Sequence, residues 1–232
     1  MPDVHELKPG EKVLILGMNG SGKSVIARSI AASWAIGPVV VVDTKGDDPA
    51  AVVPNSTICY TAEDAIRHLP GRVIYRPSMD EKRRHQPGDD RRLRPLWCRF
   101  EVIAGKLWEM AGATGRPSLV VVHELRELCT EQAIGPNFRE LITAGRSKGI
   151  TLVLVTQRPQ RVALEARSEA QHVICLTLTD PAARNEAAAL LADPDQPEMV
   201  DAIRQRSLPL DYRWWYRGPD FALRLHDPIR MT

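Results

Sequence analysis

Short, unbroken apolar runs rich in valine and isoleucine recur along the chain: Val13-Leu14-Ile15-Leu16, Val39-Val40-Val41-Val42, Leu119-Val120-Val121-Val122, Leu152-Val153-Leu154-Val155, and the stretch 172–178. Most are followed by segments in which apolar residues return every three or four positions, as Ile26, Ile30 and Trp34 do within 23–35. A strand without polar alternation is buried on both faces, and such strands alternating with amphipathic helices build a parallel sheet covered on both sides. The pattern predicts an α/β chain of three layers around a mainly parallel sheet. Val73-Ile74-Tyr75 reads as an added edge strand.

Local signals place the helix ends. Gly37-Pro38 stops the first helix, and Thr61-x-x-Asp64 reads as a capping box before 65–69. Asn137-x-x-Glu140 has the same form before 141–147, with Gly149 as C-terminal cap, and Asp180-Pro181 opens 182–192 as an N-cap followed by proline. The segment 80–95 mixes Lys82, Arg83, Arg84, Arg91, Arg92 and Arg94 with acids and prolines, a composition that predicts a mobile loop. At the other end, 208–228 reads as a β-hairpin turning near Gly218-Pro219, with Tyr212, Trp214 and Tyr216 alternating along one arm. At 232 residues this amounts to one domain, 1–232, with a core over about 10–195 and the hairpin and tail over about 205–232.

Charge adds little: the formal net charge is +2, so any anionic partner must be met by a local basic surface. The apolar runs are too short to span a bilayer, and the first residues lack the basic and apolar regions of a signal peptide, which predicts an intracellular protein without a transmembrane segment. Cys59, Cys98, Cys129 and Cys175 form no C-x-x-C pair and read as small buried apolar residues.

The chemistry begins at Gly17-Met18-Asn19-Gly20-Ser21-Gly22-Lys23-Ser24, a G-x-x-x-x-G-K-[ST] motif between a predicted strand and a predicted helix. Its glycines let successive backbone N–H groups face phosphates, and the helix start adds partial positive charge. Lys23 would reach the β- and γ-phosphates of ATP, Ser24 would ligate Mg²⁺, and Val25 continues the phosphate-binding turn. Glu124, one residue past His123 at the end of the run 119–122, is the expected catalytic base. His123 stands where an aspartate ordinarily holds the magnesium shell; its imidazole can contact a metal-bound water but brings no negative charge, and Asp43 compensates only if it reaches the site. Gln157, ending the run before Arg158-Pro159, is the expected γ-phosphate sensor.

The segment 145–159, with Gly145-Arg146 before an apolar strand and Thr156-Gln157-Arg158-Pro159 after it, resembles the FtsK–HerA superfamily of DNA-pumping P-loop ATPases. Asp43-Thr44-Lys45-Gly46 resembles that family's D-x-K-G element, and 179–184 its arginine-bearing helix start. The resemblance covers about 10–195. It implies a P-loop fold of the additional-strand, catalytic-glutamate class, in which both catalytic strands lie beside the phosphate strand. It also implies a ring, usually a hexamer, with Arg146 and Arg184 presented across the subunit interface. The lack of room for accessory domains is similar to the genome-packaging ATPases of tailless phages and viruses with an internal membrane. That implies double-stranded DNA as substrate, a capsid or portal vertex as partner, and the host cytoplasm or the virion as location. The basic segment 80–95, Arg158 and Arg161, and the stripe Tyr212, Trp214 and Tyr216 are the places for DNA contact, with a solvated outer loop and hairpin packing as the plainer alternatives. A cellular or plasmid DNA-transfer ATPase, a single-strand exporter and a nucleotide-dependent switch without a DNA path remain as other readings.

Overall fold

A computed structural model describes residues 7–46, 53–205 and 212–228. The sequence's start at 1–6 and the first hairpin residues, 208–211, lie outside these.

Among the described residues nine strands join one sheet: β1 (Lys12–Leu16), β2 (Val39–Val42), β3 (Thr57–Cys59), β4 (Arg72–Tyr75), β5 (Ser118–Val122), β6 (Ile150–Thr156), β7 (His172–Cys175), β8 (Trp214–Arg217) and β9 (Leu223–His226). Their order is β3-β4-β2-β5-β6-β1-β7-β8-β9. The first seven pair in parallel, and β8 and β9 add antiparallel strands beyond β7. Alternate residues feed opposite faces. Val13, Ile15, Val39 and Val41 join one buried layer with Ile26, Ile30 and Trp34 of helix α1 (Lys23–Ser33) and its C-cap. Leu14, Leu16, Val40 and Val42 join the other. That second layer also holds buried residues of α2 (Ala62–Arg67), α4 (Pro95–Thr114), α5 (Pro136–Ala144), α6 (Leu164–Ser168), α7 (Pro181–Leu190) and α8 (Pro197–Gln205). The molecule is a three-layer α/β P-loop fold.

Four expectations are corrected. β4 is not an edge strand, because β3 pairs outside it. Only β6 and β7 flank β1; β5 lies one strand further out, since β6 inserts between them. Asn137 does not cap α5: the Glu101 carboxylate on α4 accepts the Asn137 and Phe138 N–H groups at 2.6 and 2.9 Å, doing the capping from another element. Finally, 80–95 is not simply a loop. It opens within helix α3 (Met79–Arg83), capped by Ser78, where Glu81 is buried and accepts from Tyr75 Oη at 2.6 Å. Asp89 then pairs with the buried Arg99.

The predicted caps Thr61 and Asp180 do accept from Asp64 N and Ala182 N, and Gly149 closes its turn in the left-handed region at φ 68°. The hairpin turns through 218–222, and Trp214 and Tyr216 pack into the α1 layer. All four cysteines are buried and free. Among the described residues no helix is long and apolar enough to cross a membrane.

Candidate active site at the carboxyl edge of the sheet

Parallel register brings chain-distant residues to one edge. Leu16 pairs with Thr156 and Cys175, and Val42 with Val122, so the segments that follow β1, β2, β5, β6 and β7 all emerge side by side. Such an edge is where open α/β sheets bind ligands.

The P-loop leaves β1 there. Gly17 N donates to Thr156 O at 3.3 Å and Met18 N to Thr177 O at 2.7 Å, fixing the loop to both neighbouring strands. Gly20 and Gly22 take φ values of 76° and 99°, conformations an L side chain rarely adopts. The Met18 carbonyl accepts from Ser21 N, from Ser21 Oγ at 2.9 Å and from Lys23 Nζ at 2.6 Å, so the lysine folds over the loop that it would otherwise bridge to phosphate. Helix α1 opens on Gly22 with no side-chain cap and no acid in its first turn, unlike α2, α3 and α7 with their Thr61, Ser78 and Asp180 caps. An uncapped helix start offers backbone N–H groups and a partial positive charge to an anion. Ser24, partly buried, and Val25 occupy that first turn.

Facing the loop stands a polar cluster. Glu124 follows β5 and begins the 3-10 turn Leu125–Glu127. Gln157, at the end of β6, donates from Nε2 to Asn19 Oδ1 at 2.8 Å and to Glu124 Oε2 at 3.2 Å. Lys45 Nζ lies 3.4 Å from the same Glu124 oxygen. These groups line a cavity of about 340 Å³ together with Thr44, Arg126, Glu127 and Arg158. The carboxylate is therefore held on one oxygen by an amide that also touches the P-loop, an arrangement able to orient water toward a phosphate and to couple its loss to β6.

His123 is half-buried at the end of β5, its backbone N–H bonded to Val42 O. Asp43 does not compensate for it. Its carboxylate, 1% exposed, accepts from Gly46 N at 3.0 Å and from Arg76 Nε at 2.8 Å, which shapes the 43–46 turn instead. Oxygen donors along this cavity include the Thr44 hydroxyl and the carboxylates of Glu124 and Glu127, with the Ser24 hydroxyl in the first turn of α1, and such oxygen ligands suit a magnesium ion keeping several of its waters.

Arg146 and Arg184 are not part of this cluster. Arg146 is exposed in the 3-10 turn Gly145–Lys148, and its backbone lies against Gly10, ahead of β1; a Cβ on Gly10 would meet Arg146 O at 2.6 Å. That is the opposite end of β1 from the P-loop, about 17 Å away for a five-residue strand. Arg184 is at the carboxyl edge, but Nη1 donates to Thr179 O at 2.7 Å and Nε to Arg204 O at 3.1 Å.

Sequence reasoning singled out Lys45 only as part of a motif and missed its contact with Glu124, and it gave Asn19 no role beyond the loop. Both contacts depend on which strands are neighbours: β2 beside β5, and β6 beside β1.

The fold and this site define a P-loop NTPase. No protein-family model and no curated protein matches the chain. Among solved structures it is similar to the genome packaging NTPase B204 from Sulfolobus turreted icosahedral virus 2. In the sulfate complex the identity is 16% and the TM-score 0.71, over 96% of this chain and 98% of that one. In the ATP-gammaS complex the identity is also 16%, with a TM-score of 0.65 over 97% and 100%. The cytoplasmic domain of the Thermomonospora curvata type VII secretion ATPase EccC is 18% identical with a TM-score of 0.57, over 95% of this chain and 25% of that one. At these identities the likeness is one of fold, and it agrees with the P-loop resemblance drawn from the sequence.

Proposed function

We propose that this chain is an ATPase motor of the FtsK–HerA kind that moves double-stranded DNA into a viral capsid. The observation that carries the hydrolytic part is the carboxylate–amide pair of Glu124 and Gln157, 3.2 Å apart and tied to the P-loop through Asn19 at 2.8 Å. The packaging part is supported by the likeness of this chain to an NTPase named for genome packaging, over 96% of this chain and 98% of that one.

In this reading Lys23 releases the Met18 carbonyl and takes the β- and γ-phosphates, while the N–H groups from Gly20 to Val25 surround them. Magnesium, bound through Ser24 and water, would neutralise phosphate charge. Glu124 orients the attacking water and accepts its proton. Gln157, bridging Glu124 and Asn19, registers loss of the γ-phosphate at the end of β6. Arg146 and Arg184 act on a neighbour's site, within a hexameric ring docked on a portal or capsid vertex in the host cytoplasm. Duplex DNA would follow the exposed basic residues of 82–94 or those after β6, Arg158 and Arg161.

The test is steady-state hydrolysis at low salt, with and without long duplex DNA, beside Glu124→Gln. The expected result is stimulation by duplex that fades as salt rises, and a loss of about 100-fold or more in the variant. Hydrolysis that needs Glu124 but ignores DNA would leave an NTPase and remove the motor, favouring a nucleotide-dependent switch.

A further inference from the structure

A second cavity, of about 350 Å³, opens on the far side of the P-loop. Ser21 and Gly22 form its junction with the phosphate loop, and its walls are Val25, Ile26, Leu176, Tyr212 and Trp214. The two cavities have opposite character. The one at Asn19 holds Glu124, Gln157 and Lys45 and is polar, whereas this one is aliphatic and aromatic. A nucleotide has the same asymmetry, with a charged phosphate end and a flat aromatic end. A chain of phosphates laid along the loop with its terminal group at Glu124 therefore leads its base to the apolar side.

We propose that this cavity is the nucleobase pocket, closed by the C-terminal hairpin through Tyr212 and Trp214, and that it selects purines by ring area without distinguishing adenine from guanine. The inference rests on the phosphate reading of the P-loop.

Three details support it. Tyr212 is 51% exposed although it stands at the cavity, so its ring has an open face for stacking. Its Cδ1 lies 3.3 Å from where a Cβ of Gly22 would stand, so the pocket wall and the phosphate loop meet there. Trp214, 2% exposed and stacked on His226 at 4.3 Å, gives a fixed wall. Its indole N–H is buried and has no hydrogen-bond partner among the described residues, so what Trp214 contributes to the wall is its apolar ring. Among the described lining residues no carboxylate or amide side chain faces the cavity to tell an amino from an oxo group. Such pairs of polar groups are what separate one purine from another, whereas apolar walls discriminate by size.

The experiment is equilibrium binding by calorimetry of ATP, GTP, CTP, UTP and inorganic tripolyphosphate to the wild type, Tyr212→Ala and Tyr212→Phe. ATP and GTP are expected to bind within about threefold of each other and CTP and UTP about tenfold more weakly, a size set by the smaller area that a single ring buries against apolar walls. Tyr212→Ala should weaken ATP and GTP about tenfold and leave tripolyphosphate unchanged, and Tyr212→Phe should restore purine binding. Because Tyr212 is exposed, unchanged thermal unfolding of the variants accompanies the expected result. ATP affinity indifferent to Tyr212→Ala, equal binding of purines and pyrimidines, or a strong preference of one purine over the other would overturn the proposal while tripolyphosphate binding upholds the phosphate site. A wild type that binds neither ATP nor tripolyphosphate would overturn the phosphate reading and this one with it.

Discussion

At the scale of single residues, the site is decided by which oxygen each cation holds. Glu124 shares one oxygen between Gln157 and Lys45, and Lys45 is half exposed, so its ion pair is screened and worth little as stability. Its value is positional: Lys45→Ala is expected to lower kcat about tenfold with nucleotide affinity and thermal unfolding unchanged, as for loss of one orienting contact. A fall in affinity instead would make Lys45 a phosphate ligand. His123 gives a second test. Replacing the imidazole by a carboxylate adds the negative charge that Asp43, tied to Arg76, does not supply. His123→Asp is expected to lower, by about tenfold, the magnesium concentration that half-supports ATP binding in calorimetry. The octapeptide, Glu124 and Gln157 were all legible as letters because their chemistry is local: a glycine turn, and polar residues directly after apolar runs. Lys45's contact was not legible. It lies far from Glu124 along the chain, and the two meet only because the strands ending at Val42 and Val122 are paired in the folded sheet.

At the scale of elements, the helix signals that held were those whose partner lies within the same turn, as with Thr61 and Asp180. The one that failed was met by a competitor from elsewhere. Glu101 reaches α5 across 36 positions of sequence and satisfies two of its N–H groups, which no local motif announces. Glu101→Ala is expected to cost about 2 kcal/mol, because it strands two donors in a largely buried place. Chemical denaturation would read this as a lower midpoint, and an unchanged midpoint would show that Asn137 or water caps the helix after all. The cysteines belong to the same scale. Burial pushes the thiols of Cys59 and Cys129 up to about 11 and that of Cys175 up to about 12, and raises Cys98 as well. Raising the pKa lowers the thiolate fraction, so labelling by an aromatic disulfide should be slow at about pH 8, quicken as pH rises, and reach all four thiols only on unfolding.

At the scale of the molecule, the three layers were legible because unbroken apolar runs leave a strand no exposed face. The strand order was not, because insertion of β6 between β1 and β5 leaves no mark on either run. That order bears on assembly. Arg146 lies at the amino end of the sheet and the P-loop at the carboxyl end, so within one chain they do not meet. Arg184, bound to two carbonyls, has a structural task in holding α8 to α7, and Arg184→Ala should lower thermal stability whether or not it also serves a neighbour. Arg146, exposed in its turn, should be replaceable by alanine without that loss. If it completes a neighbour's site in a head-to-tail ring, Arg146→Ala alone and Glu124→Gln alone will both be inactive. An equal mixture of the two should then regain roughly a quarter of wild-type hydrolysis, since a site needs its own Glu124 and its neighbour's Arg146, each present in half the subunits. Recovery should vanish on dilution below the assembly concentration. Activity of Arg146→Ala equal to wild type, or a mixture no better than its parts, would remove Arg146 from the hydrolytic machinery and leave the ring without its arginine from this turn.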